Sequence, residues 1–198
     1  MTTIDAGFEE RSGSEFLFDF DTFEKIDELG IFERAEGRVE LIDGRLLEMS
    51  PISGDHGEIS GGVFFRLKAA VMALGLEDAF KLIVHATLKI GENSAPEPDV
   101  FVARPKGDRK YYESRDAVLV VEVSISTRDN DLKFKSTIYA RADVPEFWMV
   151  EPEQRRLRVF RDPQSDGSWA STIVLEGEDA TVSPLFAPQI SIPLSELF

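Results

Sequence analysis

The chain has no cysteine, only two histidines, and fewer cations than its size would suggest. Without cysteine there are no disulfides and no thiolate metal sites, and the redox compartment stays open. With His56 and His85 alone, the histidines argue against a His-rich zinc centre. Lysine and arginine total 22 against 37 acidic residues, a formal charge of −15 and a sequence pI near 4.6. Such a balance repels nucleic acid at long range and excludes a nonspecific DNA coat, although a locally basic cleft remains compatible with it. No stretch reaches the roughly 20 consecutive apolar residues of a membrane-spanning helix. The N-terminal "MTTIDAGFEERSGSEFLFDF" lacks the basic region and apolar core of a signal peptide. These features lead to the expectation of a cytoplasmic protein with no membrane partner.

What is present suits a folded domain. Hydrophobic residues make up 42% of 198, ample for one core. Residues 1–15 are charged, glycine- and serine-bearing and aperiodic, which predicts a disordered tail ahead of a single domain over 16–198. "DFDTFEKIDELG" predicts a short helix capped by Asp21, with Glu24 three residues on and Gly30 as its stop. In "RVELIDGRLLEMSP", Asp43-Gly44 between two apolar-rich runs predicts a hairpin. A helix follows from His56 to Leu74, then strands in "FKLIVHATLKI" and "PDVFVA", with His85 alternating in the first of them. "RPKGDRKYYESRD" is the most basic stretch; its mixture of cations and tyrosines suits a nucleic-acid strand, and equally a solvated loop. After it come "AVLVVEVS", a helix from about Asp131 to Arg141, "EFWMVEP", a hairpin, and a tail with a strand and a short helix. The order predicts an α/β (α+β) protein with a mixed central β-sheet flanked by helices, an extra N-terminal hairpin and C-terminal strands.

One residue breaks the apolar run "VLVVEVS". Both faces of this strand are apolar except at Glu122, so a carboxylate is expected inside a buried central strand, where it is costly without a cation, donor or water. Asp99 opens the short strand "DVFVA" after Pro98. If the two strands are neighbours, their carboxylates converge at the sheet, and hard divalent cations such as magnesium favour such oxygen ligands. A lysine nearby, Lys135, could orient a nucleophile or offset developing negative charge. The plain alternatives are an Asp99 that binds strand-start amides and a Lys135 paired with Asp131 on the helix surface.

"VELIDGRLLEMSP", "GDHGEIS", "PEPDVFVA", "VLVVEVSISTRDNDLKFKSTIYARADVPEFWMVEP" and "ISIPLSELF" occur in that order. Together they resemble the putative restriction endonuclease family, formerly a domain of unknown function, within the PD-(D/E)XK nuclease superfamily. The resemblance spans about residues 20–198. It implies a restriction-endonuclease-like core and a magnesium-dependent site (manganese as substitute) that hydrolyses DNA phosphodiester bonds through a metal-activated water. Asp99 matches the PD aspartate and Glu122 the (D/E) position. The lysine of the motif is absent at Ser124, which points to Lys135 on the following helix, with Lys133 as competitor. Glu40 matches an acidic residue that joins the metal shell, so the implied ligands are Asp99, Glu122, Glu40 and the Val123 carbonyl. His56, expected near Glu40, is a candidate substrate contact, as are Thr127, Arg128 and Tyr139. DNA is the implied partner despite the charge, and a homodimer is the expectation for cutting two strands. Ile125 stands where the family usually has proline, and Val39 where it often has an aromatic residue. The alternatives are a catalytically inactive nuclease-fold scaffold, which the acidic charge favours, and a carboxylate-pair hydrolase acting on a glycoside. Trp148 and Trp169 are the only tryptophans, and Trp148 lies in an apolar strand, which counts against a sugar cleft.

Overall fold

A computed structural model describes residues 15–125, 129–177 and 179–198, with the backbone alone at 129–133. The predicted tail over 1–15 falls almost entirely outside the described residues, as do Thr127, Arg128 and the side chain of Lys133.

Helix α1 (Phe20–Glu28) leads into a hairpin of β1 (Val39–Ile42) and β2 (Arg45–Glu48). Asp43 and Gly44 both have positive φ (47° and 78°), the backbone twist that a two-residue hairpin turn requires. The cap of α1 is Asp19, not Asp21: its carboxylate accepts a hydrogen bond from Thr22 N at 2.8 Å. Burying both Phe20 and Phe23 starts the helix earlier, and Glu24 then turns outward to Lys110 and Tyr111.

Helix α2 (Gly54–Ala73) is capped by Ser53, and Val63, Leu67 and Val71 form its buried stripe. The helix thus starts two residues before the expected His56, which lies in its first turn. The predicted strand over "FKLIVHATLKI" divides into β3 (Lys81–Val84) and β4 (Leu88–Lys89), because His85 adopts a left-handed φ of 44° that no strand continues. Next come β5 (Val100–Ala103), β6 (Tyr112–Glu113) and β7 (Ala117–Val123). Helix α3 (Asp129–Arg141) then crosses to β8 (Glu146–Glu151). The hairpin of β9 (Arg156–Pro163) and β10 (Trp169–Glu176), and the short pair β11 (Thr181–Val182) and β12 (Ile192–Pro193), complete the chain.

The main sheet runs β10-β9-β8-β7-β5-β3. Only β7 and β8 are parallel in it, so the sheet is mixed, as predicted. Every residue of β7 is buried, which explains its unbroken apolar sequence. One sheet face packs Val100, Val121 and Trp148 against Val63 and Leu67 of α2 and the C-terminal segment. The other packs Phe101, Val120 and Phe147 beneath Ile138 and Tyr139 of α3 and Ile42 of the hairpin. A further ion cluster ties down the C-terminal segment: Arg161 donates to fully buried Glu146 at 2.6 Å and to Ser183 O, while Leu185 N donates to the other Glu146 oxygen.

Backbone hydrogen bonds hold the hairpin against the segment that leads to Asp99. Ala95 N donates to Leu41 O at 2.7 Å, and Gly44 N to Asn93 O at 2.7 Å. Gly37 allows the hairpin base to close, since a Cβ there would lie 1.8 Å from Met49 O. No described helix is long and apolar enough to cross a membrane.

Candidate active site

Three buried carboxylates from three strands meet at one end of the sheet. β5 pairs with β7 in the register Val100↔Val121, so the next residue along each strand brings Asp99 beside Glu122. Glu40 comes from β1, where Arg38, Glu40 and Ile42 alternate onto the face turned toward α3. The exposures of Glu40, Asp99 and Glu122 are 0%, 2% and 3%, so each carboxylate needs compensation from the protein.

Lys135 supplies most of it. Its Nζ lies 3.1 and 3.0 Å from the two oxygens of Glu40 and 3.3 Å from Glu122 Oε1. Tyr139, one turn further along α3, donates its hydroxyl to the same Glu122 oxygen at 2.7 Å. Both side chains are buried, which α3 achieves by presenting Lys135, Ile138 and Tyr139 to the sheet. Burial is the largest influence on Glu122 and pushes its carboxyl up to about 7; Lys135 pulls it down, while Asp99 and Glu40 add to the rise. Burial acts against the Lys135 ammonium too, but Glu122 and Glu40 outweigh it and hold its pKa above the ordinary value.

Asp99 is compensated differently. Burial raises its pKa, but hydrogen bonds from His56 and from Val123 N (2.7 Å) prevail, leaving a net lowering. His56 Nε2 lies 3.2 Å from Asp99 Oδ2 and 3.2 Å from Val123 O, so one ring N–H is shared between them. The hydrogen bond with Asp99 raises the His56 pKa against the opposing effect of burial. The structure thus places His56 on Asp99 and the Val123 carbonyl, two of the four groups implied as metal ligands, and not on Glu40.

A cleft of about 290 Å³ opens onto these groups. Its walls include Arg38, His56, Asp99, Glu122 and Lys135 on the polar side and Met49, Ile52 and Ile125 on the apolar side. Arg38 escaped the sequence reading, although its place two residues before Glu40 on one strand face was the available signal. Its Nε donates to Glu40 Oε1 at 3.0 Å and its Nη2 to Glu97 O at 3.4 Å. At 23% side-chain exposure against 5% for Lys135, Arg38 is the more exposed of the two cations that line the cleft. His85 lies beyond the site on the β3 side, with Nδ1 3.9 Å from Asp99 Oδ1, too far for a hydrogen bond.

The oxygen donors suit a hard cation. Asp99 Oδ1 and Glu40 Oε2 are buried without a hydrogen-bond donor among the described residues, although Lys135 contacts the latter as an ion pair. No group of three or more His, Asp or Glu side chains among the described residues is arranged to hold a metal ion. The geometry explains this: the Lys135 amine stands between Glu40 and Glu122, and the His56 ring caps Asp99.

Residues 20–195 match the family described as Uma2, putative restriction endonuclease. Among solved structures, the chain is similar to a putative nuclease belonging to DUF820 from Anabaena variabilis ATCC 29413. The TM-score is 0.70 at 18% identity, over 87% of this chain and 96% of that one. No match is found among curated proteins.

Proposed function

The chain belongs to the Uma2 putative restriction endonuclease family, in the PD-(D/E)XK-like nuclease superfamily, and we propose that it is a magnesium-dependent nuclease hydrolysing DNA phosphodiester bonds. The observation that carries the reading is the convergence of Glu40, Asp99 and Glu122 around Lys135 at the open end of the sheet. Asp99, Glu122, Glu40 and the Val123 carbonyl would hold magnesium, or manganese in its place. When bound, the ion supplies an acidified water and neutralises charge on the scissile phosphate.

The chain's own residues divide the remaining work. Lys135 keeps two like-charged carboxylates close together and offers its amine to the attacking water. Tyr139 fixes the Glu122 carboxylate through one hydrogen bond. Arg38, anchored to Glu40 and facing the cleft, meets a phosphate oxygen and offsets the charge that builds on it. His56 holds Asp99 and the Val123 carbonyl in position until substrate and metal enter. Cutting both strands of a duplex would call for a homodimer.

The test is a calorimetric titration with magnesium or manganese, alongside a plasmid-nicking assay, on wild type, Asp99→Asn and Glu122→Gln. The proposal expects metal binding and metal-dependent nicking in wild type, with both weakened at least about tenfold by Asp99→Asn. Metal binding unchanged in both variants would remove the site. A second reading, an inactive nuclease-fold scaffold, draws on the −15 charge and on the cations already placed between the carboxylates. It expects a folded wild type that neither binds the metal nor nicks DNA.

A further inference from the structure

The end of the sheet carries a second groove beside the active-site cleft. β3 pairs with β5 in the register Val84↔Val100, and β5 with β7 in the register Val100↔Val121. Continuing each by one residue puts His85, Asp99 and Glu122 in one row across the strand ends, and His85 N donates to Asp99 O at 3.4 Å. The left-handed φ of 44° at His85 ends β3 there and leaves its ring half-exposed between Asp99 and this groove. Neighbouring strands lie about 4.8 Å apart, so the row from Glu122 to His85 spans about 10 Å. At about 3.4 Å per nucleotide of a stacked strand, a nucleic acid lying along the row reaches the groove within about three nucleotides of the scissile phosphate.

The groove has a volume of about 370 Å³, within the range of small-molecule sites. Its charge runs against that of the whole chain. The segment 104–115 that walls it holds five cationic residues against two acidic ones. Most of those cations are committed: Arg109 to Asp116 and Glu113, Lys110 to Glu24 and Glu28, and Arg115 to Glu113. Lys106 has no carboxylate partner among the described residues. Its amine meets the Arg109 carbonyl and lies 5.9 Å from the centre of the Tyr112 ring. Glu97 is the groove's one acidic lining residue, and burial raises its pKa. Tyr112 is braced edge-on by buried Phe101 at 5.6 Å, an aromatic platform with the Lys106 amine held near it by the Arg109 carbonyl.

We infer that this groove binds an unpaired nucleotide of a DNA strand, within about three nucleotides of the scissile phosphate, with Tyr112 stacking on its base and Lys106 pairing with its phosphate. The inference rests on the nuclease reading above. Turning Lys106 onto a phosphate exchanges its bond to the Arg109 carbonyl for a charge-assisted one, and base–aromatic stacking tolerates any base, so the groove confers strand binding without sequence preference.

The test is fluorescence anisotropy with a fluorescein-labelled single-stranded oligodeoxynucleotide of about 10 nucleotides, with calcium replacing magnesium. Tyr112→Leu should weaken binding about tenfold and Tyr112→Phe should restore it, since a ring suffices for stacking. Lys106→Gln is at the surface and serves should Tyr112→Leu fail to fold; it should reduce the slope of log affinity against log salt by about 0.7. If wild type binds the strand and both Tyr112→Leu and Lys106→Gln match it in affinity and salt slope, the groove is not the subsite and the nuclease reading stands. If wild type binds neither strand nor metal, both readings fall.

Discussion

Glu122→Gln should flatten the pH dependence of stability, because ionising Glu122 inside the fold is costly. Burial, with help from Asp99 and Glu40, lifts this carboxyl from its ordinary 4.5 to about 7 despite the opposing Lys135. The sign follows from proton counting. Between the two values the folded chain holds a proton that the unfolded chain has released, so stability falls as pH rises through that window. At about 1.4 kcal/mol per pH unit, the full effect is on the order of 3 kcal/mol, and about 2.5 kcal/mol of it falls between about pH 5 and about pH 8. Glutamine keeps the shape, still accepts from Tyr139, and leaves Lys135 its two contacts to Glu40.

Urea unfolding of wild type and variant at the two pH values measures this directly. His56 contributes in the same direction, since its raised pKa gives stability present at low pH and lost as pH rises through the folded value. Asp99 supplies most of that rise in both proteins, and the smaller share due to Glu122, present in wild type alone, acts in the same direction as the Glu122 effect. The expected result is a wild type that loses about 2.5 kcal/mol more than Glu122→Gln between the two conditions. Parallel losses, agreeing within about 0.5 kcal/mol, would refute the account of a neutral, buried Glu122.

Lys135→Met leaves Glu40 and Glu122 without their shared ammonium and should cost about 3–5 kcal/mol in urea unfolding at neutral pH, part of it recovered when Glu122→Gln is added. Tyr139→Phe removes the 2.7 Å donor from Glu122 and should cost about 1–3 kcal/mol, with the Glu122 titration moved higher still when followed by NMR. Arg161→Met, far from the cleft, strips buried Glu146 of its cation and should lower stability by about 3–5 kcal/mol while leaving magnesium affinity unchanged by calorimetry. A loss of metal affinity in that variant would mean that the two ion clusters communicate.

Glu122 and Asp99 were legible because each interrupts an apolar pattern, Glu122 within a strand buried on both faces and Asp99 at the mouth of another; Glu40 came from the family resemblance alone. That resemblance pointed to Lys135 on the helix after Glu122 with Lys133 as competitor, and the structure brings Lys135 onto Glu40 and Glu122. Neighbouring strands then brought Asp99 and Glu122 together, which local pattern requires but cannot demonstrate. His56 was placed near the wrong acid, because α2 covers the opposite face of the sheet and only the path of the chain brings its first turn around to Asp99. His85 alternates perfectly within its strand sequence, and nothing local announces the left-handed backbone that ends β3 there. Arg38 was missed since arginine two residues before a glutamate is the ordinary pattern of a solvated strand edge. Its significance depends on Glu97 and the cleft, both supplied by tertiary structure.

Counting charges around the cleft connects the pH effect, the metal and the DNA strand. Glu40, Asp99 and Glu122 bring three negative charges, and Lys135 and Arg38 bring two positive ones, while His56 adds a third only as long as it stays protonated. The surplus negative charge can be met by a proton, and Glu122, the carboxyl most strongly raised by burial, takes it near neutrality. It can equally be met by a divalent cation, which favours the ionised form and so competes with that proton. Magnesium affinity should therefore rise between about pH 6 and about pH 8. The acidic surface matters less here than its total suggests, because salt confines its repulsion to about 8 Å under physiological conditions. A DNA strand bound there as proposed would respond mainly to the charges beside it, among them Arg38, Lys106, Glu40, Asp99 and Glu122.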